Sequence, residues 1–134
     1  MAPVSRFWAW MTTSPPGPRS RGAIVAWWEK RRIPYNLLVG GVGVISLVLF
    51  YWVMGQPGML APGEDAVEPL AVCLAPIAVN ICYTAGATVE LLFGGTRRVE
   101  PLGPRLMRMG LWFSLVAVWI PTLTSVARLL RHPS

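Results

Sequence analysis

The chain has 134 residues, 54% of them apolar and only 13% charged, with a formal charge of +6. That charged share is about half the usual value for a soluble domain, which excludes a water-soluble globule and leaves one domain's worth of membrane protein. A single histidine, His132, and two cysteines give no basis for a haem pocket or a metal centre, so no cofactor is expected.

The first stretch, MAPVSRFWAWMT, sets Phe7, Trp8, Trp10 and Met11 close together beside Arg6. Such a cluster suits a segment lying flat on a membrane, although it is short for a helix standing alone. TSPPGPRSRG, residues 13 to 22, reads as a linker that is extended around its prolines. Residues 1–22 are therefore expected to be a partly flexible N-terminal segment, and residues 23–134 the membrane domain. AIVAWWEKRRIPYN, residues 23 to 36, places aromatic residues before a basic cluster. It predicts a short juxtamembrane interfacial helix, with Trp27, Trp28, Lys30, Arg31 and Arg32 as contacts to anionic lipid head groups. Pro34 is expected at a bend where the first membrane helix starts.

Three runs then lack charge almost completely. Asn36 to Met54 and Met109 to Ala127 carry none over 19 residues each, and Leu70 to Phe93 carries only Glu90 over 24. At about 1.5 Å per residue, 19 residues span roughly 28 Å, close to the hydrocarbon thickness of a bilayer. The expected fold is all-α, an integral membrane bundle of three transmembrane helices at about 36–54, 70–93 and 109–127. A cleaved signal peptide is the poorer reading of the first run, since some 35 residues precede it and no small-residue cleavage site follows.

Lys and Arg set the orientation. Six precede the first run, none lies between residues 55 and 69, four fall between 94 and 108, and two follow the third run. The N-terminus and second loop are thus expected in the cytoplasm, with the C-terminus outside. The positive charge hugs helix ends as topology requires, which argues for membrane lipids and against nucleic acid as its partner.

Cys73 and Cys82 are nine residues apart in one helix and cannot pair with each other. Small residues suggest which helix faces meet: Ala78, Cys82 and Gly86 on the second helix; Gly110, Ser114, Ala117, Pro121 and Thr124 on the third; and Gly40, Gly41 and Gly43 on the first. Pro76 and Pro121 sit at similar depth in the outer half, where kinks would shape packing or splay the bundle into a vestibule.

Two polar residues within the second run are the candidate site. Asn80 shares its expected depth with Trp119, and a hydrogen bond between them would satisfy both. Alternatively, Asn80 and Thr84 contact a substrate or ion. Glu90, with Tyr83 on the same helix face, is expected to pair with one of Arg31, Arg32, Arg97, Arg98, Arg105 or Arg108; the alternative is a proton or cation site.

No phosphate loop, nucleophile with a neighbouring base, or Cys-x-x-Cys occurs, so an enzyme is not expected. WWEKRRIPYN, followed later by NICY and Glu90, resembles small uncharacterised bacterial inner-membrane proteins. The resemblance implies a three-helix protein of the cell inner membrane and carries no activity. The expected role is structural or interactive, as an accessory subunit of a larger membrane complex or a small bundle. The alternatives are an oligomeric transport component using Asn80, Thr84 and Glu90, and an anionic-lipid-binding protein.

Overall fold

The computed structural model describes residues 3–67, 69–94 and 101–131. Among these the chain forms helices and no strand: α1 (Pro3–Thr12), α2 (Arg21–Met54), α3 (Pro69–Val89), which runs on into a π turn (Glu90–Gly94), and α4 (Gly103–Arg131). α2, α4 and the stretch Pro69–Phe93 are long and apolar enough to cross a membrane. Arg97, Arg98, Glu68 and His132 lie outside the described residues.

The first span differs from its expected form. Residues 23–36 are not a separate interfacial helix but the opening turns of α2, whose 34 residues extend roughly 51 Å at about 1.5 Å each. Ser20 caps the start, its side-chain oxygen accepting the Ala23 N–H at 3.2 Å. Pro34 does not end the helix. It removes the hydrogen bond to the Lys30 carbonyl, but this happens before the uncharged run, where water can serve the orphaned group. The short N-terminal helix is α1 instead. Its last turn is closed by Thr12 and Thr13, whose hydroxyls donate to the Trp8 and Ala9 carbonyls at 2.7 and 2.6 Å.

Side-chain contacts fix the register. Tyr35 meets Ser114 and Ser46 meets Thr122, so α2 and α4 run parallel. Trp28 meets Glu90 and Asn36 meets Asn80, so α2 and α3 run antiparallel. In this register α3 starts opposite about residue 46 of α2, and beside the last eight residues of α2, 47–54, the only helix is α4. The first ten residues of α3, 69–78, are exposed throughout. Both prolines of the outer half, Pro76 and Pro121, lie inside continuous helices.

The core lies at the other end. Met11, Ile24, Trp27, Trp28, Tyr35, Val39, Tyr83, Met107 and Leu111 form one buried cluster. The expected meeting of small faces is corrected here. Ala78, Cys82, Ala117, Pro121 and Thr124 are exposed, Cβ atoms built on Gly40, Gly41 or Gly110 would meet nothing, and only Gly43 lies against α4. Two members are exceptions: Gly86 on α3, where a Cβ would come within 2.9 Å of the Trp28 ring, and Ser114 on α4, which is buried against Tyr35 of α2. Bulky aromatics with polar tips join these helices, because each tip finds a partner on the neighbouring helix while its ring supplies dispersion contacts.

Candidate functional site

Glu90 stands where the linker, α2, α3 and α4 converge. The spacing of seven from Tyr83 puts both side chains on the face of α3 that turns toward α2. α3 runs into a π turn at Glu90–Gly94, a widened form often found at functional positions. Glu90 is the first residue of that turn and is 1% exposed.

Its two oxygens are divided between two donors. Trp28 Nε1 donates to Oε2 at 2.7 Å, and Arg19 Nη2 donates to Oε1. The Arg19 side chain is 11% exposed, so this ion pair is shielded from water. A shielded pair is worth having only where geometry and further hydrogen bonds complete it; the indole N–H does so for the carboxylate, while Arg19 Nη1 is buried with no hydrogen-bond partner among the described residues. Gly103, the first residue of α4, makes room for the carboxylate: a Cβ at that position would lie 2.5 Å from Oε2. Tyr83 closes the other side, its hydroxyl donating to the Trp28 carbonyl and its ring packing edge-on against Trp28 at 5.1 Å.

The pairing of Glu90 with an arginine is the kind of contact its position called for, but the partner is Arg19. Arg31 and Arg32 are otherwise engaged. The Arg31 guanidinium lies over the rings of Trp27 at 4.0 Å and Trp10 at 4.6 Å and donates to the carbonyls of Trp10, Trp27 and Thr13. It thereby satisfies carbonyls at the end of α1 and fastens α1 to α2. Arg32 pairs with Glu29 one turn back at 2.8 Å.

The expected head-group contacts are therefore only partly at a surface. Lys30 is exposed and Arg32 half-buried, but Trp27, Trp28 and Arg31 are 7, 2 and 6% exposed and turn into the bundle. The physical reason is the continuity of α2. A separate interfacial helix would have been free to roll its aromatic face toward lipid, whereas the first turns of a packed span present that face to α1, α3 and α4.

Asn80 does not pair with Trp119. It exchanges two hydrogen bonds with Asn36, at 3.1 and 3.2 Å, and its amide also donates to the Pro76 carbonyl at 3.1 Å. Trp119 is half-buried on α4. Equal distance from the ends of two runs failed as a guide because α3 is displaced along α2, which brings the middle of α3 beside the start of the uncharged run. Thr84 donates to the Asn80 carbonyl at 2.8 Å within its own helix, the local back-bonding available to threonine. With Pro76, Ile77, Ile81 and Ala85, Asn80 and Thr84 line an open, shallow, mostly apolar groove on α3. Glu90 is buried elsewhere, so Asn80, Thr84 and Glu90 do not share one surface.

Sequence reasoning missed Arg19, Asn36 and Ser46, and the pairings of Tyr35, Ser114 and Thr122, of which Ser114 lay on the small-residue face expected to meet a neighbour. Tyr35 bonds Ser114 at 2.7 Å, and Ser46 bonds both Thr122, at 2.8 Å, and the Val118 carbonyl, at 2.6 Å. Asn36 carried a usable signal, being an amide at the head of an uncharged run. Arg19 carried none within its proline-rich linker. Among the described residues no three of His, Cys, Asp or Glu gather as a metal site would require, and Cys73 and Cys82 are free and exposed. In comparison with known proteins, no family model, curated protein or solved structure matches the chain.

Proposed function

We propose that the chain is a non-enzymatic structural or interaction protein of the cytoplasmic membrane, an accessory subunit or small bundle with its N-terminus in the cytoplasm and its C-terminus outside. One observation carries the reading: the polar groups within the spans are spent on one another. Glu90 is taken by Arg19 and Trp28, Asn80 by Asn36, Ser46 by Thr122, and Tyr35 by Ser114. Paired this way they join helices, the common use of polar groups inside membranes. The exposed outer half of α3 supplies surface for an interaction within the bilayer, and the count of Lys and Arg on either side of the spans supports the orientation.

Extraction of the native membrane in mild detergent, followed by mass determination and identification of co-purifying chains, tests this. A fixed larger partner is expected. A pure homo-oligomer whose activity in ion or solute flux is lost in Glu90→Gln would overturn it in favour of transport. That second reading has one observation behind it, the groove beside Asn80 and Thr84, and would require several copies to enclose a path.

A further inference from the structure

α1 is more apolar than its packing on the protein requires. It buries one side chain, Met11, in the bundle, while Val4, Phe7 and Trp8 remain 64, 38 and 38% exposed. By helical spacing these three flank Met11 on one side of α1 and Arg6 and Ala9 fall on the other, where Trp10, 41% exposed, lies under the Arg31 guanidinium. The apolar stripe is wider than the contact it makes.

We infer that α1 is an interfacial helix whose Val4, Phe7 and Trp8 edge sits at the acyl and head-group boundary of an anionic leaflet, at a depth fixed by the bundle. The register supplies the depth. Arg31 holds the Trp10 and Thr13 carbonyls, so the end of α1 is level with Arg31. Asn36, where the uncharged run of α2 begins, is five residues further on, roughly 7.5 Å at about 1.5 Å per residue. The head-group layer has the same thickness, roughly 5 to 8 Å on each side of a hydrocarbon core of about 30 Å. α4 agrees, because Arg108 lies on the same side of the Tyr35–Ser114 contact as Arg31 does.

Two further features select lipid as the occupant. Other apolar side chains at this end of the bundle, Ile33, Leu92 and Phe93, are each about 70% exposed. The exposed cations Arg6, Arg21, Lys30 and Arg108 belong to the same end, as an anionic head-group layer demands.

The test uses the full chain with Cys73→Ala and Cys82→Ala, carrying a nitroxide at Val4→Cys, Phe7→Cys or Ala9→Cys. It is reconstituted in phosphatidylcholine vesicles with or without phosphatidylglycerol. In the anionic vesicles, the ratio of oxygen to water-soluble nickel collision rates is expected to be several-fold higher at positions 4 and 7 than at 9. Removing phosphatidylglycerol is expected to reduce that difference. Equal nickel access at all three positions would place α1 in water and overturn the inference. Shielding of positions 4 and 7 from both reagents would show a protein cover and overturn it equally. No response to phosphatidylglycerol would overturn the anionic part.

Discussion

Glu90 divides its oxygens between a guanidinium and an indole N–H, and this division sets what each substitution should do. Arg19→Ala leaves a buried carboxylate with one neutral donor, and breaking a buried pair in this way costs about 3–5 kcal/mol. Glu90→Leu leaves a guanidinium in the same plight. The double variant Arg19→Leu with Glu90→Leu removes both charges, and such replacements by apolar groups are often neutral. The expected outcome is that either single change lowers resistance to denaturing detergent more than the double change does, read as the unfolding midpoint in mixed micelles. A double variant as unstable as the sum of the singles would show that the pair is not coupled. That Glu90 would find an arginine was legible in the sequence, because a carboxylate near the end of an apolar run needs a cation close by. Which arginine was not legible, since the fold of a proline-rich linker decides where Arg19 lands.

At the scale of elements, two contacts carry the docking of helices onto α2. Gly86 lets α3 approach the Trp28 ring, and Gly86→Leu would force the ring aside. Overpacking of this kind costs about 1–3 kcal/mol, so loss of the α2–α3 contact is expected as increased exchange of backbone amides in α3. Arg31 is the second contact. It meets the terminal carbonyls of α1 and stacks on Trp10 and Trp27, roles that a lysine, with its compact charge, does not reproduce. Arg31→Lys is therefore expected to release α1 and speed tryptic cleavage after Arg19 or Arg21, while the spans stay intact. Unchanged cleavage would show that α1 is held by Met11 alone. The small-residue faces proved a poor guide at this scale. Small side chains mark where backbones are able to approach, but in this bundle the aromatic residues with hydrogen-bonding tips gain more from the interface.

For the whole molecule, the expected orientation puts the acidic loop outside and α1 inside. In a background of Cys73→Ala and Cys82→Ala, Glu64→Cys should react with a membrane-impermeant maleimide in intact cells. Arg6→Cys should react only after permeabilisation, and the reverse pattern would invert the topology. The spans also differ in how much they depend on the bundle. α2 and α4 share the hydroxyl pair Ser46–Thr122 as well as the core, whereas α3 is held at its inner end by Tyr83, Gly86 and Glu90. α3 is accordingly the least buried of the three long helices.

The sequence by itself determined the class of molecule. Twenty or so apolar residues in succession favour a helix, whose backbone groups are satisfied internally, and three such runs give three helices long and apolar enough to cross a bilayer. It also marked Glu90, since a charge inside such a run is costly enough to stand out. Only the tertiary structure decided the pairings: Arg19 with Glu90, Asn36 with Asn80, and Trp27, Trp28 and Arg31 turned inward. These follow from the sliding of α3 along α2 and from the fusion of residues 23–36 to the first span. Both are matters of packing between segments distant in sequence, which local periodicity does not encode.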